Sequence, residues 1–368
     1  MLDSMLSQRR VRMVKGPARV TVSGECFVLG AKVSNSVVAV RAGKALPFEP
    51  GPGSRLFISR GARSRTWSAS PAEAGTAIWS ATAQLVFDMV VQQPNMPFRV
   101  MVVGESDSGK STMCTYLSNL AVSRGYYPVM IDGDIGQGDI APPCAAGAAA
   151  LRSPVTDLRD ATATMFEFVG RISAAGAESE IASCLGALCR RSKKLGNIQI
   201  INTDGYVHDL GVSYKKLIAE QVKPDVIVCI GKNAPLESAL SERWRVLSAR
   251  SSGQAMKSST ERRWRRYDQY LRFAGNKRVL RTAGDLQFHF FGRTIRLSGL
   301  GTLPLISETG GLTGIFVGLG EDRTVSGFGI IRRAEGNEIE FQTDTGRFDS
   351  VFLSNIRITG TIAEQISE

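Results

Sequence analysis

Histidine is almost missing from this chain, with 2 in 368 residues, and its 6 cysteines include no C-x-x-C pair. A zinc site of the Cys/His type is therefore not expected. Nor is a disulfide framework, because Cys26, Cys114, Cys144, Cys184, Cys189 and Cys229 are scattered along a long chain, mostly in apolar runs. There they read as small buried hydrophobes. No apolar run reaches the roughly eighteen residues that a spanning helix needs. The opening stretch, Met1-Leu-Asp-Ser-Met-Leu-Ser-Gln-Arg-Arg10, lacks the apolar heart of a secretion signal, so a cytoplasmic location is expected. Repeats of fixed period and low-complexity segments are also missing. Acidic residues are the minority, 34 against 45 Lys and Arg, for a net charge of +11. The remaining composition, 43% apolar and 21% charged, is that of a globular protein, and 368 residues suggest two or three domains.

The charge is unevenly spread. Residues 242–281 hold twelve Lys/Arg against three acids, a local net of +9. Trp264, Tyr267, Tyr270 and Phe273 are interleaved with them. A solvated helix face would explain such a run, but cations mixed with aromatics also suit a polyanion, since phosphate neutralisation supplies most non-specific nucleic-acid affinity.

Gly104-Glu-Ser-Asp-Ser-Gly-Lys-Ser111 is a complete G-x-x-x-x-G-K-S phosphate-binding loop, continued by Thr112. Its glycines let backbone N–H groups turn toward phosphates, Lys110 can reach the β and γ oxygens, and the Ser111 hydroxyl can hold Mg²⁺. The buried-strand run 98–103 precedes it, and apolar residues at helical spacing follow from 111 to 124. A second segment, Val129-Met-Ile-Asp-Gly-Asp-Ile-Gly-Gln137, delivers Asp132 and Asp134 to the end of a strand. An acid there can orient Mg²⁺ or accept a proton from a hydroxyl. Gly136 permits close backbone approach, and Gln137 offers both a donor and an acceptor.

The spacing predicts a β-rich unit over 15–95, with strands at 18–22, 25–29, 36–41 and 55–59, a loop over 43–53 and a helix over 80–91 ended by the prolines at 94 and 97. Strands at 98–103, 128–131, 198–201 and 226–230, with helices at 111–124, 177–194 and 212–221, predict a parallel α/β sheet. Short strands at 286–291, 294–297, 312–317, 327–331, 338–341 and 352–358 predict a small β barrel or sandwich. The expected division is 1–95, 96–281 and 282–368: a P-loop α/β core flanked by two β-rich domains.

With the loop at 104–111 and Asp132-x-Asp134-x-Gly136-Gln137, the chain resembles the polynucleotide 5′-hydroxyl kinases. That family includes the kinase subunit of eukaryotic pre-mRNA cleavage and of the tRNA-splicing complex, ribosomal-RNA-processing kinases and archaeal single-chain relatives. Phe168-Val-Gly-Arg-Ile-Ser173 is similar to its F-V-G-x-x-S-P segment, Ile201-Asn-Thr-Asp-Gly-Tyr206 to its N-T-x-G-W clasp, and Glu261-Arg-Arg-Trp-Arg-Arg266 to its arginine-bearing lid. Ala174 replaces the proline of the first motif, and Tyr206 the tryptophan of the clasp.

The resemblance implies ATP-dependent phosphorylation of the 5′-hydroxyl of RNA or DNA. In it, residues 104–112 (Gly104, Glu105, Ser106, Asp107, Ser108, Gly109, Lys110, Ser111, Thr112) bind the nucleotide, ATP or GTP, and Ser111 and Asp132 attend Mg²⁺. Lys110 polarises the transferred phosphate and Asp134 is the general base. Gln137, Asn202, Thr203, Gly205 and Tyr206 face the nucleic acid, and Arg262 and Arg266 are the lid cations, with Arg263 as a competitor. Partners in RNA processing are implied, and a membrane is not. A nucleotide-bound scaffold lacking transfer is the alternative. A GTPase-like switch is disfavoured, because Gly231-Lys-Asn233 is only a fragment of a guanine-specificity segment.

Overall fold

The computed structural model describes residues 10–93, 96–251, 257–295 and 311–360, with the backbone of 362–365. Strands β1 (Val11–Lys15), β2 (Ala18–Ser23), β3 (Glu25–Val28), β4 (Ala31–Ser34), β5 (Val37–Val40), β6 (Ala45–Pro50), β7 (Arg55–Arg60) and β8 (Arg65–Ala69) make two small sheets, in the orders β4-β3-β6-β1-β8 and β5-β2-β7. The loop expected over 43–53 contains β6, which pairs with β1 on one side and β3 on the other. Its prolines fit because each sits where β6 has a single neighbour: Pro47 lies opposite Met13 of β1 and Pro50 opposite Cys26 of β3, so a missing N–H leaves no ladder broken on both sides.

After the single turn α1 (Pro71–Ala74), helix α2 (Thr76–Gln92) buries Trp79, Ala83, Val86, Phe87 and Val90. They join Val20, Val38 and Phe48 of the N-terminal sheets and Val100, Val102 and Leu117 of the central unit in one continuous core. The helix therefore fastens the first β unit to the second. The proline at 94 expected to end it lies outside the described residues.

The central sheet runs β12-β11-β10-β13-β9-β14-β15, from β9 (Phe98–Gly104), β10 (Pro128–Gly133), β11 (Ala145–Ala150), β12 (Met165–Phe168), β13 (Ile198–Thr203), β14 (Val226–Ile230) and β15 (Val246–Ala249). Five neighbours, β10 to β15, are parallel, as expected, while β11 and β12 add antiparallel at one edge. The sequence of β11, Ala-Ala-Gly-Ala-Ala-Ala, favours helix by propensity. It is a strand because almost every position is buried, and only small side chains fit there. Helix α3 (Lys110–Ser123) covers one face, and α4 (Glu178–Arg191) and α5 (Leu210–Val222) the other. Helix α6 (Ala234–Ser241) precedes β15.

The basic run folds as α7 (Ser259–Ala274), whose start is set by a reciprocal cap: Ser258 Oγ accepts from Glu261 N at 3.1 Å, and Glu261 Oε2 accepts from Ser258 N at 2.8 Å. Its later turns sink Tyr270 and Ala274 among Cys144, Phe166, Phe316 and Phe328. The basic helix is thus anchored between the central sheet and the C-terminal strands. Those are β16 (Arg278–Thr282), β17 (Gln287–Phe290), β18 (Arg293–Ile295), β19 (Ile315–Glu321), β20 (Thr324–Glu335), β21 (Glu338–Gln342), β22 (Ser350–Thr359) and β23 (Ile362–Gln365), joined in one sheet. Residues 296 and 297 of an expected strand lie outside the described residues.

A buried ionic knot ties the N-terminal unit to this frame. Arg159 clasps Asp157 at 2.8 Å, Arg41 reaches Asp157 at 3.2 Å, and Lys44 reaches Asp139 at 3.2 Å. Burial by itself raises the Asp157 carboxyl, but Lys44 and Arg159 outweigh it and hold the group well below the usual carboxylate range. Its contribution to stability is therefore present above about pH 4 and is lost as pH falls through the depressed value. Removing the charge leaves buried Arg159 with only the longer contact to Asp139, at 3.8 Å. Asp157→Ala is expected to lower unfolding free energy by about 3 kcal/mol at neutral pH and still by a large part of that near pH 3, the difference fading only as pH falls further toward the depressed value, read from urea titrations over that range.

Candidate active site

The carboxyl ends of β9, β10 and β13 lie level, with Asn202 paired to Val102 on one side and Asp132 on the other. Ligand crevices of open α/β sheets lie at this edge. Three segments that are far apart in sequence meet there.

The phosphate-binding loop crosses from β9 to α3. Gly104 (φ 149°) and Gly109 (φ 104°) take backbone angles closed to other residues, and Asp107 (φ 58°) sits between them. Lys110 is buried and donates to the carbonyls of Gly104 at 2.9 Å and Glu105 at 2.7 Å. Burial pulls its ammonium below the ordinary lysine range, against the attraction of Asp134. Ser111 and Thr112 open α3, partly exposed, and the Ser108 hydroxyl is buried with no hydrogen-bond partner among the described residues.

Asp132, at the end of β10, is 2% exposed and accepts from Asn202 Nδ2 at 2.9 Å, Asp139 N at 2.7 Å and Asp134 N at 3.3 Å. Burial, then the neighbouring Asp139 and Asp134 carboxylates, pushes its carboxyl up to about 6. With these bonds made, little of its acceptor capacity is left for a direct metal bond. Asp134 is half-buried, and its Oδ1 accepts from Gly136 N at 3.1 Å and Gln137 N at 2.8 Å. That leaves Oδ2 without a partner among the described residues. Enclosure raises this carboxyl, and Asp204 adds to the rise while Lys110 opposes it. Gly136 fits where a Cβ would come within 2.9 Å of the Ile172 carbonyl, which brings the Phe168–Ser173 segment against the acid loop. Ala174, at the position of the family's proline, accepts from Ala177 N at 2.9 Å.

The clasp follows β13. Gly205 touches the phosphate loop: a Cβ there would come within 2.2 Å of Ser106 Oγ and 2.5 Å of Ser106 N. Thr203 is fully buried, and its hydroxyl donates to Val102 O at 2.9 Å, so it joins strands rather than facing the crevice. Tyr206 is half-buried, with its ring 6.0 Å from that of Tyr214.

Sequence reading missed the support of this clasp. Asp204 is buried and accepts from Tyr206 N at 2.8 Å, Tyr214 OH at 2.7 Å and Lys215 Nζ at 2.9 Å. Lys215 is completely buried. Burial alone raises the Asp204 carboxyl, but the Lys215 charge and the Tyr214 hydroxyl bring it below the ordinary range. The signal was present in helix α5, where Gly211, Tyr214, Lys215, Ile218, Ala219 and Val222 form the buried stripe and a lysine stands where an apolar residue belongs.

The lid arginines also divide differently from expectation. Arg262 Nη2 donates to Asp107 at 2.7 Å, and Lys257 Nζ lies 3.3 Å from the same carboxylate. Arg265, not selected from the sequence, donates to Asp139 at 2.6 Å and to Gln137 O at 3.0 Å. Arg266 is half-buried, and enclosure lowers its guanidinium beside Tyr270 and Cys144, away from the loop. Arg263 is exposed. An i, i+3 pair straddles the face that meets the acid loop, whereas the i+4 position turns toward the packed base of the helix.

Residues 104–273 match the family described as mRNA cleavage and polyadenylation factor CLP1 P-loop. Those residues are similar to that family's P-loop domain. A polyribonucleotide 5′-hydroxyl-kinase of Pyrococcus horikoshii is 30% identical over 186 residues, 50% of this chain and 52% of that protein. One from Thermococcus kodakarensis is 30% identical over 207 residues, 53% of this chain and 58% of its own. The polyribonucleotide 5′-hydroxyl-kinase Clp1 of Xenopus laevis is 28% identical over 284 residues, 70% of this chain and 62% of its own. The matched region thus spans about half the length of these archaeal relatives. A solved structure of Clp1p with Pcf11p superposes with a TM-score of 0.72 at 12% identity, covering 95% of this chain and 96% of that one. The CLP1-type fold therefore extends through both flanking β units, where motifs are sparse.

Truncating Lys215 in this P-loop domain would strand Asp204 as a buried lone charge. Lys215→Met is expected to cost about 3–5 kcal/mol in urea unfolding and to raise the pH of acid unfolding. Asp204→Asn combined with Lys215→Met should recover most of that loss, since it leaves no unpaired charge.

Proposed function

We propose that the protein transfers the γ-phosphate of ATP to the 5′-hydroxyl end of a nucleic acid, RNA or DNA, using the crevice at the carboxyl ends of β9, β10 and β13. The observation that carries this reading is Asp134. Its Oδ1 is fixed by two backbone N–H groups while Oδ2 stays unpartnered near buried Lys110, and Gly205 brings the clasp against Ser106 of the phosphate loop. A carboxylate raised toward neutrality suits a general base, because it accepts a proton readily and still ionises at working pH. Oδ2 takes the proton of the incoming hydroxyl, Lys110 holds the transferring phosphoryl group, and Tyr206 presents a ring on which the terminal base stacks.

The residues fit a magnesium ion that takes most of its ligands from phosphates and water. Among the described residues no cluster of three His, Cys, Asp or Glu could hold a metal alone, and the Ser111 hydroxyl opens α3. Magnesium there would neutralise charge across the β and γ phosphates. Asp132, with its hydrogen bonds already made, orients the site by holding Asn202 and the acid loop rather than by contacting the ion. Arg262 and Arg265 become the lid cations of this reading. Arg262 exchanges Asp107 for the transferring phosphoryl group when nucleotide fills the loop. Gln137 and Gly205 line the acceptor side, whereas Thr203 keeps the strands in register.

The division at about 95 and 281, a cytoplasmic setting and protein partners in RNA processing belong to the same proposal. Among the described residues, no helix is long and apolar enough to cross a membrane.

Purified protein given γ-labelled ATP, Mg²⁺ and a 5′-hydroxyl oligonucleotide is expected to label the oligonucleotide. Tight ATP binding with no transferred label would overturn the kinase reading and leave a nucleotide-bound scaffold. Lys110→Ala and Asp134→Asn should each lower kcat by at least about 100-fold, the scale of a positioned base or phosphate clamp. Tyr206→Ala should mainly raise KM for the oligonucleotide, by about 5-fold or more. Arg265→Ala should cost more of kcat than Arg266→Ala, and the reverse order would restore the i, i+4 assignment.

A further inference from the structure

The structure redistributes the positive charge. In the lid region many cations are spent internally: Arg262 and Lys257 on Asp107, Arg265 on Asp139, Arg243 on Glu220 and Arg278 on Glu340. Residues 10–93 carry eleven Lys/Arg against four Asp/Glu, a net of +7. Arg19, Arg55, Arg60, Arg63 and Arg65 are all exposed there, and none of them is in an ion pair among the described residues.

Two of these arginines stand on the outer face of the β5-β2-β7 sheet. In its antiparallel register Thr21 lies opposite Val37 and Phe57, Arg19 opposite Ala39 and Ser59, and Ser23 opposite Arg55. Directly opposed residues share a face, and all of these side chains are exposed, while Val20, Val22, Val38 and Val40 point into the core. An outer sheet face is ordinarily polar, yet Val37 and Phe57 are each 58% exposed. The face carries no acidic residue. Arg60 ends β7, and Arg63 follows on the turn.

We propose that this face of the N-terminal unit binds a single nucleic-acid strand, as a second contact for the body of the chain whose end enters the active site. An exposed ring between unpaired guanidiniums offers stacking to any splayed base and neutralisation to the flanking phosphates, with hydroxyls from Thr21, Ser23 and Ser59 alongside. A duplex keeps its bases stacked on one another and has no use for the ring. A protein partner would need acidic groups to meet these arginines, and a nucleic acid supplies them along its whole length. This inference rests on nucleic acid as the substrate class, but not on phosphate transfer.

The test is fluorescence anisotropy with a labelled, 5′-phosphorylated single-stranded RNA of about 20 nucleotides and no nucleotide present, so a protein that transfers no phosphate still returns an answer. Arg19→Glu with Arg55→Glu is expected to weaken binding by at least about 10-fold near 100 mM salt and to flatten the salt dependence by about 1.4 in log–log slope. Phe57→Ala should weaken it about 5-fold with the slope unchanged. All three positions are exposed, so the variants should keep the wild-type melting temperature and ATP affinity. Wild-type affinity in the double arginine variant overturns the proposal. So does a loss of RNA and heparin binding in equal proportion with no effect of Phe57→Ala, which would make the face a general polyanion surface.

Discussion

One buried carboxylate organises the crevice. Asp132 is enclosed at the end of a central strand, where an ionised group is costly unless every bond it can accept is made. It meets that demand by drawing in the Asn202 amide from the next strand and the N–H groups of Asp134 and Asp139 from its own loop. The clasp and the acid loop are thereby fixed to each other. Asp139, held in place by this bond, in turn receives Lys44 from the N-terminal unit and Arg265 from the lid helix. A single desolvated group thus sets the spacing of three segments and indirectly positions two more.

The crevice is layered in charge. From the phosphate loop to helix α5, two neighbouring acids, Asp134 and Asp204, are flanked by two buried lysines, Lys110 and Lys215, and each group shifts its neighbour. Asp204 matters to Asp134 in two ways: its negative charge keeps the neighbouring carboxyl raised, and its bond to the Tyr206 N–H fixes the clasp. Lys215 makes both effects tolerable by compensating Asp204 where water cannot. Asp134 and Tyr206 therefore share one support.

Much of this was legible in the chain, because phosphate chemistry demands local sequence. A strand, a glycine loop and a helix must follow one another for backbone N–H groups to converge, so Gly104 to Thr112 and the acid pair at 132 and 134 are visible as contiguous patterns. Strand β6 was hidden by Pro47 and Pro50, and β11 by its alanines. The reason is the same in both cases: pairing on one side only, and burial against close neighbours, override local preference. The lid arginines resisted assignment because four arginines within five residues differ only in angular position, and the contact made by the other end of α7 selects among them.

Sequence alone determined the phosphate-binding chemistry, the identity of the acids at its edge and the α/β core, since each depends on residues close together along the chain. Tertiary structure alone decided which acid keeps an open oxygen, which arginine meets the loop, that Lys215 is a buried counter-charge, and that the N-terminal sheet carries exposed arginines outside any ion pair among the described residues. Those properties depend on burial and on partners brought from more than a hundred residues away, as when Arg262 meets Asp107 and Arg265 meets Asp139. A charge counted in sequence carries no record of whether folding will neutralise it.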